Sequence, residues 1–327
     1  MAERIDRRGF FKASGAAAAG IAVANLAGCA TGTAPGGAGR EDFIRSVQKA
    51  RLFDLSHLWD ENAPVVGVNP PYASELAATH QKTRGQFGDG GQLSFTSETQ
   101  KWSGQHGAPS IDAIGHIGFH GKLFGGVDAA QATSDPRGLG RSGVGANLDI
   151  ASYPKEKLVN RGVLLDVARV VQGNDSPLPA GFGITDEHLA ETAKRQGVTV
   201  RPGDTVLVRT GWGKLFAADP KAYAGDAAAG VNVAGGKWLV AQKAAVVGAD
   251  TLTFEVRPPV AKPPAVPAFQ VFPVHMLIIA QNGINIIENY WLDEIASAKE
   301  YEFLLVVPPL KLRGGTGSAL RSFALVP

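Results

Sequence analysis

The stretch QHGAPSIDAIGHIGFH, residues 105–120, holds three of the chain's seven histidines, with Asp112 between His106 and His116. Imidazole and carboxylate groups bind Zn²⁺, Mn²⁺ or Fe²⁺, and a neutral histidine also serves acid–base chemistry near pH 7. Asp112 and His116 are four positions apart, which predicts a loop followed by a short helix, with both side chains on one face and Ser110 as N-cap. The alternative is a glycine-rich loop whose histidines only hydrogen-bond backbone carbonyls.

The composition limits the classes of protein to which the chain can belong. It has 327 residues, of which 44% are hydrophobic and 19% are charged. This is enough for one large globular domain, or two small ones, with a sizeable core. The net charge is +2, and nothing in the sequence resembles the clustered basic face that nucleic-acid binding needs. The single cysteine excludes an intrachain disulfide framework and a zinc ribbon.

Residues 1–40 have the pattern of an export signal followed by a tether. Arg7 and Arg8 open the run RRGFFK, and a weakly apolar Ala/Gly-rich run follows, as in twin-arginine signals. That run is too weakly apolar to span a membrane, which takes ~20 strongly apolar residues. The sequence LAGC, ending at Cys29, resembles a bacterial lipobox, in which cleavage exposes the cysteine for lipidation. Cleavage without lipidation is the alternative.

We therefore predict a periplasmic protein that meets the membrane only through its signal or a lipid on Cys29. Residues 31–39 are a flexible tether by composition. The prediction divides the chain into residues 1–40, with signal, lipobox and tether, and a folded domain over residues 41–327.

The folded part mixes strand and helix patterns without a regular βαβ alternation or an internal repeat. Apolar runs predict strands at residues 51–57, 93–96, 162–167, 205–209, 245–250, 284–288 and 301–307. Caps and apolar runs predict helices from Thr185 to Gly197, near residues 236–244, and over residues 274–282. The Pro- and Gly-broken region from His57 to about Gly91 is typical of a lid or an insertion. Together these elements predict an α/β or α+β fold around one sheet system.

Several of these segments, in order, match a known family. They are DLSH at residues 54–57, RPGD at 201–204 with LVRTGW at 207–212, PVH at 273–275 with EN at 288–289, and residues 309–318. The set resembles the cyclase family of metal-dependent hydrolases, which includes kynurenine formamidases and isatin hydrolases. The resemblance implies a single mixed-sheet α/β domain of the swivelling β/β/α type, a divalent metal (Zn or Mn), a small-molecule substrate and a homo-oligomer.

The family motif reads His-x-Gly-Thr-His-x-Asp-x-x-x-His, and residues 106–116 are the matching run. His106, Asp112 and His116 match, but Ser110 stands where the family has its second histidine. In the family the first two histidines and the aspartate bind the metal, and the last histidine acts in catalysis or on a second metal. Ser110 therefore removes an expected ligand, and a neutral hydroxyl is a poor substitute for imidazole.

The resemblance also implies that His275 and Glu288 face this cluster, with His106, Asp112, His116, His275 and Glu288 as metal ligands and His116 and Glu288 in catalysis. Two interpretations remain open. Either a metal is retained, held weakly or with His120 completing a shifted site, or the metal is lost and His116 works with Glu288 alone. We favour a retained metal, because the other matches would otherwise be unexplained.

Four further residues are candidates for substrate binding: His57, Trp212, Asp250 and Glu255. For His57 and Trp212 the alternative is a core position, and for the two acids it is structural hydrogen bonding. Family chemistry implies a hydrolase of a small cyclic or linear amide or ester, kynurenine formamidase-like. The alternatives are an exported binding protein with a degenerate metal site and a metal-dependent lyase or dehydratase.

Overall fold

The computed structural model describes residues 37–65, 69–105, 107–258 and 272–327. The chain divides into two units, with the boundary between Lys49 and Ala50. The described part of the first unit is helix α1 (Gly37–Lys49), which begins inside the predicted tether. Within these ranges, no helix has the length and apolarity to cross a membrane. Arg7, Arg8 and Cys29 lie outside the described residues, so their predicted roles stay predictions.

The second unit contains the strands and the remaining helices. The strands are β1 (Arg51–Asp54), β2 (Ala73–Ala78), β3 (Ser97–Lys101), β4 (Ser110–Asp112), β5 (Lys122–Leu123), β6 (Val127–Asp128), β7 (Val159–Asp166), β8 (Gly183–Ile184), β9 (Thr205–Arg209), β10 (Gly230–Val231), β11 (Val246–Ala249), β12 (Asn285–Glu288), β13 (Glu302–Val306), β14 (Gly317–Ala319) and β15 (Phe323–Val326). The helices are α2 (His80–Thr83), α3 (Ala129–Ala132), α4 (Val167–Gln172), α5 (Asp186–Gln196), α6 (Leu215–Ala218), α7 (Pro220–Tyr223), α8 (Val233–Ala241), α9 (Pro273–His275) and α10 (Asp293–Ser297). A π-helical segment, Met276–Gln281, continues α9.

A nine-stranded mixed sheet organises the second unit, in the order β1-β15-β13-β7-β9-β11-β12-β4-β14. Its centre, β7-β9-β11-β12, is parallel, and the flanking strands run antiparallel. Parallel strands are usually covered on both faces, so their sequences are apolar throughout. All residues of strand β9 are buried, and its three central residues, 206–208, are apolar. The predicted mixed-sheet α/β class is therefore confirmed.

The two faces of the sheet carry separate hydrophobic clusters. Successive strand residues point to opposite faces, so Val163 and Leu165 join one cluster while Leu164 between them joins the other. The first cluster includes residues of α5, α8 and the 273–281 helical segment, and the second includes residues of α10. The helical segment that carries His275 thus packs against the first face.

Helix α5 and strand β9 confirm their sequence predictions. The Thr185 side chain accepts the His188 N–H, and Gly197 ends the helix in the left-handed conformation that glycine favours. Local caps determine these ends, which is why the sequence alone identifies them.

The predicted helix after Ser110 is wrong. Residues 110–112 form strand β4, paired with β12 on one side and β14 on the other. Two neighbouring strands give these residues backbone partners that the local sequence does not reveal, and tertiary pairing overrides a spacing that also fits one helical turn.

The strand predicted at residues 93–96 is also misplaced. Strand β3 begins at Ser97 and pairs with β2, which lies inside the stretch predicted to be irregular. Both strands are largely exposed and carry no alternation of apolar and polar residues, so their sequences lack the signal of a half-buried strand.

Candidate functional site

Strands β4 and β12 place three polar side chains on one face of the sheet. Glu288 lies directly opposite Ser110 in the antiparallel register, and Asp112 is two residues further along β4. Alternation therefore brings Ser110, Asp112 and Glu288 to the same face, while Ile111 and Ile287 point into the opposite core. The sheet itself thus assembles the two carboxylates.

Glu255 fixes the histidine that completes the cluster. Its carboxylate accepts the backbone N–H groups of Val274 and His275, at 3.1 and 3.0 Å, and also contacts Nδ1 of the His275 ring. A carboxylate accepts only, so Nδ1 carries a proton and Nε2 is directed to the other side of the ring. Nε2 lies 3.2 Å from Glu288 Oε1 and 3.9 Å from Asp112 Oδ2.

Asp112, His275 and Glu288 together form a site with metal-ligand geometry. All three are buried, and each offers one ligand atom within 4.8 Å of the others. Two observations fit a divalent cation. Asp112 Oδ2 is buried with no hydrogen-bond partner, and within the described ranges no Lys or Arg pairs with either carboxylate. Two oxygens and one imidazole nitrogen are a donor set for Zn²⁺ or Mn²⁺, and a carboxylate on the far ring nitrogen is typical of metal-binding histidines.

The pKa values of the cluster residues also fit a site that binds a cation. Burial, against the opposing hydrogen bond from His275 and together with the nearby Asp112 charge, raises the pKa of Glu288 to about 8. Burial likewise raises the pKa of Asp112, despite the two nearby histidines. Burial lowers the pKa of His275, but its bonds to Glu255 and Glu288 outweigh this and raise the pKa well above its usual value. Protons therefore neutralise the cluster when no cation does.

Stability of the metal-free protein should fall as pH rises from about 6.5 to about 8. Folded Glu288, with a pKa of about 8, keeps a proton that the unfolded chain releases near 4.5, so folding binds protons in this window. Each such group costs up to ~1.4 kcal/mol per pH unit. Burial lowers the pKa of His57 to about 4, which acts in the opposite direction, but only below about 6.5. Urea unfolding in EDTA measures the slope, and Glu288→Gln should flatten it. A metal-free stability that rises over this window would contradict the prediction.

His116 lies beside the cluster, outside the ligand group. It follows β4 in a turn, its Nε2 is 3.9 Å from Asp112 Oδ1, and its side chain is 30% exposed. It can therefore reach both the cluster and solvent. His120 lies in the turn before β5, exposed, with a positive φ of 48°, and it is not a member of the ligand group.

The segment around His106 is anchored by side chains from the site face. The Ser110 hydroxyl donates to the Gln105 carbonyl at 2.7 Å, and the Asn289 amide donates to the Gly107 carbonyl at 3.0 Å. His106 itself lies outside the described residues, so its role as a ligand stays a prediction. In place of a ligand, Ser110 supplies a hydroxyl that holds the residue before His106.

Asn289 and Tyr223 belong to this anchor, and sequence reasoning missed both. The Tyr223 hydroxyl donates to Asn289 Oδ1 at 2.8 Å, and Asn289 has a φ of 60°, an unusual backbone conformation for a residue other than glycine. For Asn289 the sequence did offer a signal, because it is a polar residue directly after the end of a buried strand. The tyrosine, distant in sequence, gave none.

The other predicted substrate-binding residues lie in packed surroundings. The Asp250 carboxylate accepts the N–H groups of Thr210 and Gly211, both at 2.8 Å, and the Thr210 hydroxyl. Trp212 is buried, and its indole N–H donates to the Leu178 carbonyl. These contacts fit the structural alternatives for both residues.

His57 is packed between aromatic rings. It stacks on Phe216 at 4.0 Å between centroids and meets Trp291 edge-on, and its backbone N–H donates to the Ala108 carbonyl. Its Nε2 is buried without a partner. Burial lowers the pKa of His57 to about 4, so the ring is neutral at pH 7. The packed ring and the buried Nε2 fit the alternative of a core position, and a role of His57 in substrate binding stays a prediction.

Comparison with known proteins gives one family match and a set of similar folds. The Cyclase family model, described as "Putative cyclase", matches residues 53–256. A crystal structure described as a novel cyclase is 26% identical, covers 87% of this chain and 91% of that chain, and has a TM-score of 0.71. Isatin hydrolase A from Ralstonia solanacearum is 19% identical, with coverages of 91% and 100% and a TM-score of 0.65. A predicted metal-dependent hydrolase from Bacillus stearothermophilus is 20% identical, with coverages of 85% and 99% and a TM-score of 0.54. The search of curated proteins finds no match.

Proposed function

The chain belongs to the cyclase family, whose model matches more than half of its residues, and from this membership we propose that it is a metal-dependent hydrolase of a small cyclic or linear amide or ester. The observation that carries the proposal is the buried cluster of Asp112, His275 and Glu288, with Glu255 orienting the imidazole. The similar folds of an isatin hydrolase and a predicted metal-dependent hydrolase support the same class of reaction.

In this proposal the cluster holds a divalent cation, Zn²⁺ or Mn²⁺. When bound, such a cation polarises a carbonyl group and makes water more acidic. Asp112 and Glu288 contribute oxygens, and His275 contributes Nε2, because Glu255 occupies its Nδ1 side. The three side chains are buried and the neighbouring His116 is partly exposed, so we place the substrate on the His116 side of the cluster.

His116 is the proposed general base. It is the partly exposed imidazole next to Asp112, at 3.9 Å, and an imidazole is the side chain most often used to accept a proton from attacking water. Protonated His116 then lies beside the Asp112 carboxylate, which stabilises its charge, and it can return the proton to the leaving nitrogen or oxygen.

A panel of substrates tests the activity. Isatin, N-formylkynurenine and simple lactones would be incubated with metal-loaded protein and with protein kept in EDTA. We expect metal-dependent products that have gained one water. A protein that binds the cation but turns over none of these compounds would instead support the alternative of an exported binding protein, with Ser110 as the departure that weakened the site. A product that has lost water would indicate a lyase.

Glu255→Gln should weaken metal binding by about 10–100-fold, because the charged partner of a ligating histidine sets its orientation and basicity. The amide keeps the shape of the side chain but loses the negative charge opposite His275 Nδ1. A calorimetric titration with Mn²⁺ measures the affinity. Glu191→Gln, an exposed carboxylate on α5, is the matched control and should bind like the wild type. Equal affinity in Glu255→Gln would show that this carboxylate does not support a ligand.

Export by the twin-arginine route and lipid attachment at Cys29 are further proposals, based on the sequence of residues 1–40. Replacing both Arg7 and Arg8 with lysine should leave the precursor in the cytoplasm, since the pathway reads the arginine pair and not charge alone. Cell fractionation measures the distribution. Cys29→Ala should separately release the exported protein from the membrane fraction. Normal periplasmic delivery of the lysine variant would refute the twin-arginine assignment.

A further inference from the structure

A cavity lies on the face of the sheet opposite the metal cluster. Its volume is about 170 Å³, and Asn285 contributes to its wall. Asn285 and Glu288 are three positions apart in β12, so their side chains point to opposite faces of the sheet. The cavity is therefore separate from the site described above.

One part of the cavity wall is apolar and includes an aromatic ring. Ile114, Leu148 and Phe124 line it, together with Gly283. A Cβ added at Gly283 would lie 2.6 Å from the Phe124 ring, so the missing side chain at this position is what lets the ring lie here. The volume slightly exceeds the ~150 Å³ of a dry protein cavity that binds benzene. The wall and volume therefore suit a ligand with one ring or a short hydrocarbon chain.

The polar part of the wall carries a positive charge without a counterion. The Lys157 ammonium group is half-buried and donates to Asn285 Oδ1 at 3.2 Å. Among the described residues, the lysines that form ion pairs are Lys122 and Lys214, so Lys157 forms none. Asp149 also lines the cavity, but its carboxylate already accepts the Ser152 and Gly314 N–H groups and the Ser152 hydroxyl. An ammonium group has three donors, so Lys157 retains donors for a ligand.

We propose that this cavity binds a small organic carboxylate with an apolar body, its carboxylate on Lys157 and its ring or chain against Phe124. A charge-assisted hydrogen bond at a half-buried ammonium accounts for the anion, and the apolar wall accounts for the rest of the molecule. An inorganic anion such as phosphate would leave the apolar wall unfilled and should bind more weakly.

Benzoate is the probe, titrated calorimetrically into the metal-loaded wild type and matched variants. Lys157→Met should weaken benzoate binding by about 10–100-fold, as expected for losing a hydrogen bond to a charged group. Lys155→Met removes an exposed lysine from the same short turn and should leave the affinity unchanged. Lys157→Arg keeps the charge and should retain most of the binding. Benzyl alcohol, which has the ring without the carboxylate, should bind wild type and Lys157→Met equally. Asn285 is left intact, because its amide also donates to the Asp112 carbonyl.

Three results would overturn the proposal. One is no benzoate binding to the wild type at millimolar concentration. Another is equal binding to wild type and Lys157→Met while Lys157→Met keeps the wild-type melting temperature. The last is binding that is lost in Glu288→Gln and kept in Lys157→Met, which would place benzoate at the metal cluster.

Discussion

Asp112→Asn should remove the bound cation and, with it, hydrolysis of amide or ester substrates. Asp112 contributes a buried anionic oxygen that has no other partner, and an amide in its place is a weak neutral donor. Since losing even an outer partner of a ligand costs about 10–100-fold in metal affinity, losing this ligand should cost at least ~100-fold. Elemental analysis after gel filtration and a Mn²⁺ titration measure the loss.

The same substitution separates a lost ligand from a damaged fold. Without metal, Asp112 carries the cost of a buried carboxylate next to Glu288, and asparagine removes that charge while keeping the shape. We therefore expect metal-free Asp112→Asn to be at least as stable as metal-free wild type at pH 8, although it no longer gains stability from added Mn²⁺. Asp186→Asn, an exposed substitution on α5, is the control. Wild-type metal content in Asp112→Asn would show that this side chain is not a ligand.

Arg209→Met should destabilise the protein by about 3–5 kcal/mol, the usual cost of breaking a buried ion pair by removing one partner. Arg209 is 1% exposed, and its guanidinium donates to Asp166 at 2.7 Å and also to Asp293. Burial lowers its pKa, but the surrounding aspartates outweigh this and raise it, which keeps the group charged. Methionine fills similar space but removes the buried cation, so that Asp166 keeps only the partly exposed Arg169 at 3.1 Å and Asp293 keeps only Lys214 at 3.5 Å. Urea unfolding at pH 7 in the presence of metal measures the difference.

Two comparisons check the cause of this loss. Arg195→Met removes an exposed pair with Glu191 on α5 and should leave stability nearly unchanged. Adding Asp166→Asn and Asp293→Asn to Arg209→Met should recover part of the loss, because the two buried negative charges that Arg209 compensated are then absent. A small effect of Arg209→Met alone would indicate that Arg169 and Lys214 are enough to compensate the two carboxylates.

Where local chemistry determines an element, its position could be predicted from the sequence. The cap at Thr185, the stop at Gly197 and the apolar run of β9 are local signals, and each element lies where those signals predict. The pairing of β4 is different. Its three residues are extended because two strands from distant parts of the chain flank them, and the Asp112–His116 spacing gave a helical signal in the absence of that information.

The residues of the candidate site could be predicted from the sequence, but the contacts that hold them in place could not. The sequence identified Asp112 through the family motif and His275 and Glu288 through the other segments that resemble the family, and the fold brings these three together. It did not indicate that Glu255 would hold the imidazole, because that contact depends on where α9 packs. It also did not indicate that Ser110 would bind the Gln105 carbonyl, since that bond requires the turn before β4.

Elemental analysis of the purified protein, before and after dialysis against EDTA, tests most directly whether the cluster is a metal centre. We expect a stoichiometric divalent cation before dialysis, its loss afterwards, and a rise in melting temperature when Mn²⁺ or Zn²⁺ is restored to the wild type but not to Asp112→Asn. A wild-type protein that carries no divalent cation, and whose melting temperature does not change when Mn²⁺ or Zn²⁺ is added at pH 8, would contradict the assignment of Asp112, His275 and Glu288 as ligands.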